Sequence, residues 1–410
     1  MVTRYRIAGW LLLLSAALTC MAEDPAETLL LTRFRPKVRQ DLAQLPNYTC
    51  LDTIKRWVRP AASRPFAAVD TVRLEVSSVG GKELYAWPGA RRFEDKKLSG
   101  FVTSGATAEG MFALLARQLF IVGKGAPHYS GEESLEGRRA VRYDYYIPQF
   151  DSALLLRAHN TSLPVASKGS LWFDPVSLDL IRLNTFGDDI PAELDLAEAR
   201  VNIEYARVRI GNSDALLPRQ GEMMLIDLSG VASHNVEEFS QCHAYQTEST
   251  ITFDSPAETP SAAPKPGVRE ASLPAGLLVP VVIETAIDSK SVAIGDPVRA
   301  RVRQDVRQDG ELVLPAGAAI SGRIRRFQRP AAGAPYFVVG VELFEVEWAN
   351  SRADFYGELV DSDNRKGITA GYGTRGSVTY TLPGKAFRID PGLGLLWRIL
   401  NRPAAPEQPR

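Results

Sequence analysis

Apolar residues recur at every second position through long stretches of this chain, and no other feature constrains its fold as tightly. Val72, Leu74 and Val76 alternate with Arg73 and Glu75, and Val201, Ile203 and Tyr205 alternate with Arg200, Asn202 and Glu204. Further on, Val298, Ala300 and Val302 alternate with Arg299, Arg301 and Arg303. Side chains of a strand point to opposite faces in turn, so each run has one buried and one wet face, as in antiparallel sheets. The fold class is therefore mainly β with minor α. Leu171 to Leu183 reads as a hairpin turning at Asp174-Pro175, and Asp309-Gly310 and Pro383-Gly384 are further turn signals. Between Val339 and Trp348 the apolar phase moves from Val339, Val341 and Leu343 to Phe344, Val346 and Trp348, which predicts a bulge or corner.

The alternation stops between Ser255 and Glu270, where four prolines stand among small residues. Proline removes backbone donors and stiffens the chain, so this stretch reads as a semi-extended linker. Residues 25–254 are expected to form a large antiparallel, half-barrel-like sheet with a few helices, and residues 271–398 a small all-β barrel or sandwich. A Pro-rich tail, 399–410, is expected to be disordered. Within the first domain, Leu29, Leu30, Phe34, Val38, Leu42 and Leu45 have helical spacing interrupted at Pro36, which predicts a kinked or broken helical segment over Pro25–Leu45. A second helix is expected over Ala108–Phe120, where Met111, Leu114, Leu115 and Leu119 share one apolar face. In the second domain Leu273-Pro-Ala-Gly276 and Leu314-Pro-Ala-Gly317 read as one turn used twice.

The N-terminus carries Arg4 and Arg6, then an apolar run from Ile7 to Thr19, then Cys20-Met21-Ala22 before Glu23 and Asp24. That is the layout of a secretory signal peptide over residues 1–22, cut after Ala22, and it places the mature protein in the periplasm or outside the cell. Cys20 opens a lipoprotein reading, but Leu18 stands two residues before it where a lipobox has Leu at three. Removing residues 1–22 leaves 46 basic and 48 acidic residues, a balance with no net field for nucleic acid. It also leaves two cysteines, Cys50 and Cys242, in an oxidising compartment. They are expected to bridge, closing a long loop for roughly 4 to 5 kcal/mol in the chain-entropy model; two free thiols are the alternative.

No pattern of catalytic residues stands out. His128, His159, His234 and His243 are scattered without ligand spacing, no Gly-x-Ser-x-Gly elbow occurs, and neither a cofactor nor a metal is expected. Gly371-Tyr-Gly-Thr-Arg-Gly376 has the glycines of a dinucleotide loop but leads into a strand-like run, so it reads as a turn. The acid pairs Asp188-Asp189, Glu132-Glu133 and Glu237-Glu238 read as surface charge. Arg323, Arg325, Arg326 and Arg329 form the one basic cluster, wrapping an edge with Arg326 opposite Arg323 and Arg325. It is a candidate contact for anionic lipid head groups or an acidic partner; a charged edge strand is the plain alternative.

Leu273 to Ser289, Gly295 to Ala300, Leu312 to Gly317 and Gly322-Arg323 resemble the C-terminal domain of TrbI-type scaffold proteins of conjugation and type IV secretion systems. The resemblance spans Leu273 to about Trp397 and implies a β-barrel-like domain that docks to an envelope assembly. The chain lacks the transmembrane helix and Pro-rich stalk of those proteins. Gly169 to Arg182 and the helix candidate Ala108–Phe120 resemble the LolA and RseB type of periplasmic half-barrel. That implies an apolar groove for lipid acyl chains or a lipoprotein, with no covalent chemistry and at most peripheral membrane contact. The expected function is a non-enzymatic envelope protein that binds a lipid, a lipoprotein or a protein partner. A scaffold module with a self-filled concavity is one alternative and a secreted hydrolase another; the oligomeric state is left open.

Overall fold

The computed structural model describes residues 25–45, 47–79, 82–90, 93, 96–102, 111–112, 114–158, 161–244, 269–330, 335–363, 368–372 and 377–401. The signal-peptide segment with Cys20, linker residues 255–268, His159, residues 108–110 and 113, residues 373–376 of the glycine-rich stretch and the tail 402–410 lie outside them.

The first domain opens with helix α1 (Pro25–Gln44) and continues through β1 (Tyr48–Arg59), β2 (Ala67–Val79), β3 (Lys82–Ala86), the short helix α2 (Leu114–Arg117), β4 (His128–Leu135) and β5 (Arg138–Ile147). After them come β6 (Leu155–Ala158), β7 (Thr161–Pro164), β8 (Ala166–Phe173), β9 (Leu180–Asp188), β10 (Leu196–Ile210), β11 (Ser213–Asp227) and β12 (Ala232–Ala244). Ten of these strands make one antiparallel sheet in the order β3-β2-β1-β12-β11-β10-β9-β8-β5-β4, curled into a half-barrel. Bulges at Glu204/Tyr205 and Arg56/Trp57 increase the local bend in the long strands, as an extra residue on one side of a ladder does. The β8–β9 hairpin turns where expected: Asp174 Oδ1 accepts the backbone N–H groups of Val176 and Ser177 at 2.8 and 3.0 Å.

Two helix expectations need correction. α1 runs through Pro36 without a break. The proline forfeits one helical hydrogen bond, but Phe34 and Val38 on either side of it are buried and hold the segment in place. The segment over Ala108–Phe120 is not one helix: Met111 and Phe112 form a turn, α2 lasts four residues, and Gln118–Val122 is π-helical. Gln118, Leu119 and Phe120 are buried in this wider turn. The Gln118 side-chain amide donates to the Asp151 carbonyl, which anchors it.

The second domain contains β13 (Arg269–Ala271), β14 (Leu278–Ile283), β15 (Ile287–Asp288), β16 (Pro297–Val302), β17 (Val306–Gln308), β18 (Glu311–Leu314) and β19 (Ala319–Gln328). These lead into β20 (Tyr336–Trp348), β21 (Ser351–Asp354), β22 (Gly357–Ser362), β23 (Thr369–Tyr372), β24 (Ser377–Pro383), β25 (Arg388–Ile389) and β26 (Leu393–Ile399). The main sheet runs β13-β21-β20-β19-β16-β14-β26-β22, with β24 pairing the first half of β20, around a core that includes Trp397, Phe327 and Phe355. Arg269 and Glu270, expected in the linker, pair with β21, and Glu270 is clasped by the buried guanidinium of Arg352. The phase switch in β20 is a bulge: Leu343 pairs with Gly322 and Glu345 with Ser321, leaving Phe344 extra. The repeated Leu-Pro-Ala-Gly stretches make the same turn, with Leu277 donating to Pro274 and Ala318 to Pro315 across glycines at φ +86° and +82°.

The two domains dock along β2. Val72 and Ile294 form a parallel bridge, Arg73 and Ile294 exchange backbone contacts through Arg73 N–H to Ile294 O and Ile294 N–H to Thr71 O, both 2.8 Å, and Arg73 pairs with Asp296 at 2.5 Å. Gly295 is required at this contact: its φ is +100°, and a Cβ there would lie 2.3 Å from the Arg73 carbonyl. Among the described residues no helix is long and apolar enough to cross a membrane.

Candidate functional site

The concave face of the half-barrel is the candidate site, and it is built by strand parity. On β1 the even residues Cys50, Asp52, Ile54 and Arg56 are buried while Leu51, Thr53 and Lys55 are half-exposed. Inward residues from β5, β8, β9, β10 and β11, among them Tyr143, Leu171, Phe173, Leu183, Ile203 and Met223, line an apolar hollow. The hollow is occupied by this chain's own side chains. The Phe34 ring of α1 stacks on Phe173 with centroids 3.7 Å apart and meets Phe120 edge-on at 5.4 Å. Of the expected groove residues, Met111, Leu115 and Leu119 are buried there; Leu114 lies in α2. Met111 packs over Gly221, where a Cβ would come within 3.0 Å of its sulfur.

Among the described residues, α1 is held to the rest of the domain by few polar contacts, those of Arg39 and Asp41. Arg39 Nε donates to the Phe120 carbonyl at 2.6 Å, and Asp41 pairs with Lys37 at 2.5 Å and with Arg207 at 2.9 Å. Arg207 also pairs with Asp179, which keeps the Asp179 carboxyl below the usual range even though burial opposes this.

Towards β1 the hollow has a second apolar lobe in which Phe112 lies 5.1 Å from both Tyr48 and Phe239. Here two carboxyls face inward. Asp52 pairs in register with Phe239 and Ile54 with Glu237, so Asp52 and Glu237 are diagonal neighbours on the buried face, 1% and 4% exposed. This corrects the reading of Glu237-Glu238 as surface charge: Glu238 faces out to Lys55, and Glu237 faces in. Burial pushes both the Asp52 and Glu237 carboxyls well above the usual range, and neighbouring acidic charge adds to it, Glu83 on Asp52 and Asp52 on Glu237. Among the described residues Asp52 Oδ1 has no hydrogen-bond partner. The raised values mean that this polar spot is best tolerated with its protons on, so it weighs against the fold increasingly as pH rises. Next to them, Arg56 and Asp70 form a buried bidentate pair at 2.7 and 2.5 Å.

Cys50 and Cys242 are joined, with Cα atoms 4.1 Å apart, which ties β1 to the end of β12 across a bulge at Gln241. The arginine cluster behaves differently from its reading. β19 lies between β16 and β20, so it is not an edge. A bulge at Arg325 turns Arg326 to the outer side with its neighbours, and Phe327 goes into the core instead. Arg323 and Arg325 lie over Trp87 of the first domain at 5.7 and 4.9 Å, Arg325 also pairs with Glu342, Arg326 bonds Gln328, and Arg329 covers Phe327. His234 stacks on Trp57 on the outer face and contacts Glu222 at 2.7 Å. Among the described residues no group of three His, Cys, Asp or Glu could hold a metal ion.

Sequence parity contained a signal for the acids. Glu237 has the same parity as the apolar Phe239, and Asp52 the same parity as Cys50; reading the polar residue at an inward position as buried would have found both.

No family model and no curated protein matches this chain. Solved structures similar to it include a domain described as an outer membrane lipoprotein-sorting protein from Vibrio parahaemolyticus, 11% identical with a TM-score of 0.31, covering 53% of this chain and 93% of that one. A LolA superfamily protein from Nitrosomonas europaea is 12% identical with a TM-score of 0.24, covering 52% and 93%. MucA/MucB of Pseudomonas aeruginosa is 13% identical with a TM-score of 0.18, covering 88% and 94%.

Proposed function

We propose that this chain is a non-enzymatic binding protein of the cell envelope whose half-barrel accepts an apolar segment, a lipid acyl chain or the lipid of a lipoprotein, in the space α1 occupies. The observation that carries this reading is the concave apolar wall covered by α1 and by the segment with Met111, Leu115 and Leu119, where α1, among its described residues, inserts Phe34 and Val38 to full burial. A sheet paired to a second sheet would bury its face permanently, whereas one helix can leave. The Cys50–Cys242 bridge agrees with an oxidising compartment. In this reading the second domain, docked along β2, is the element that meets an envelope assembly, as its TrbI-type resemblance implies.

The test is organic extraction and mass spectrometry of the mature protein purified from cells, followed by titration with a fluorescent fatty acid. Lipid should co-purify, and Phe34→Ala should bind the probe at least tenfold more tightly, because removing the ring empties its place against Phe173. Lipid-free protein together with no probe binding by either form would sink the proposal.

The filled hollow favours a second reading, a scaffold whose concavity is only a core. Crosslinking in cells separates the two: a scaffold traps protein partners, a carrier traps lipid.

A further inference from the structure

The second domain has a cleft of its own, of about 500 Å³, on the outer side of β14, β16 and β26. It is lined by Arg301, an outward residue of β16, and by Arg303, directly after the end of that strand; both are exposed. Asp363 and the glycines Gly317, Gly392 and Gly394 line it as well.

The charges in this cleft are not matched to each other. Arg301 is engaged by Glu284 at 3.2 Å. The Arg303 guanidinium makes no ion pair within 4 Å with any described residue, and neither does the Asp363 carboxylate. Asp363 is prevented from swinging across to Arg303: its Oδ2 accepts the Gly394 N–H at 2.8 Å, and its own N–H donates to the Gly394 carbonyl at 2.9 Å. Gly394 is the residue that permits this, because a Cβ there would lie 2.5 Å from that carboxylate oxygen. An exposed cation and a tethered anion therefore line one solvent-open cleft, neither in an ion pair with a described residue. A ligand carrying only an anion would satisfy Arg303 and meet Asp363; one carrying only a cation would do the reverse.

The geometry points to a zwitterion site: a compact ligand with an oxyanion, phosphate or carboxylate, held by Arg303 beside Arg301, and a primary ammonium held by Asp363. Such a pair of charges occurs on an ethanolamine phospholipid headgroup and on the two free termini of a short soluble peptide. A charge-assisted hydrogen bond at each end orients the ligand, and only ammonium with N–H groups can donate to Asp363.

Isothermal titration of the full-length mature protein with glycerophosphoethanolamine, glycylglycine and glycerol phosphate, and flotation with phosphatidylcholine vesicles with and without phosphatidylethanolamine, test the assignment. Expected is saturable binding of glycerophosphoethanolamine or of glycylglycine, at least tenfold tighter than glycerol phosphate, and lost at least tenfold in both Arg303→Ala and Asp363→Asn. The asparagine keeps an acceptor for the Gly394 N–H, so the local backbone is retained, and circular dichroism confirms folding. Binding of glycerophosphoethanolamine with ethanolamine-dependent flotation identifies the membrane as the source; binding of glycylglycine without flotation identifies a soluble one. No saturable binding of either zwitterion, binding equal to glycerol phosphate, or binding unchanged in both variants overturns the assignment.

Discussion

The inward carboxyls of β1 and β12 give the first domain a pH dependence of unusual sign. Asp52 and Glu237 hold their protons in the folded state to well above the usual carboxylate range because burial penalises the charged form. In the unfolded chain both titrate near pH 4. The folded state therefore binds more protons above that point, and stability must fall as pH rises, fully present below about pH 4 and lost through the folded-state values. The slope is at most about 1.4 kcal/mol per pH unit for each group, or about 2.7 while both remain protonated. Asp52→Asn removes one group and its charge on Glu237, so the slope should fall to about half. The buried amide, placed where Asp52 Oδ1 has no partner, costs about 1–3 kcal/mol at low pH. The variant should thus be less stable than wild type near pH 5 and more stable near pH 8. Urea unfolding at fixed ionic strength, read by hydrogen exchange of β1 and β12 amides, isolates this sheet from the second domain. Glu238→Gln, on the outer face, is the control and should leave the slope unchanged. A wild-type curve that is flat from pH 5 to 8, or an Asp52→Asn curve parallel to it, would refute the reasoning.

Cys50→Ser with Cys242→Ser opens a loop of 192 residues and should cost the first domain about 5 kcal/mol in the chain-entropy model, seen as a lower urea midpoint. Gly295→Ala should undock the domains, because its Cβ cannot share space with the Arg73 carbonyl; small-angle scattering should show a larger radius of gyration while the second domain unfolds as before. Arg56→Met should destabilise by about 3–5 kcal/mol by stranding the Asp70 charge, and adding Asp70→Leu should restore most of it in thermal unfolding.

The strands were legible because alternation is a local property: Val72, Leu74 and Val76 face in on β2, and Val298, Ala300 and Val302 on β16, as their spacing requires. Bulges were harder. The one in β20 shows as a phase change of apolar residues, but the one at Arg325 hides among charged residues, where no apolar phase marks it, so the face of Arg326 was read wrongly. The segment after Met111 has an apolar spacing that fits an α-helix, and only the tertiary contacts of Gln118 and Phe120 select a π turn. The role of Arg323 and Arg325 depended on Trp87, more than two hundred residues away, and nothing local could assign it.

Where the hollow can open follows from what holds each side of it. The disulfide closes the β1–β12 side, and Ile294 and Asp296 close the edge of β2. Of the two segments over the hollow, the one with Leu115, Leu119 and Phe120 is tied down by the Gln118–Asp151 bond, which leaves α1 as the movable wall. Burial of Phe34 and Val38 contributes about 1.5–3 kcal/mol each, the Arg39 bond about 1, and the half-buried Asp41–Arg207 pair at most about 1. Displacing the helix therefore costs at least about 6 kcal/mol, with the part-buried Leu30, Leu31 and Leu42 adding to it, and an acyl chain recovers about 0.8 kcal/mol per methylene buried. At least about eight methylenes are needed before binding becomes favourable. Saturated fatty acids of increasing length should show negligible affinity up to roughly eight carbons and then tighten by about fourfold per added methylene, the factor corresponding to 0.8 kcal/mol. Cleavage of α1 by a protease should accelerate in step, since the bound chain takes the place of Phe34. Affinity independent of chain length, or binding that leaves α1 as protected as before, would mean that the ligand sits elsewhere and that the half-barrel is a closed core.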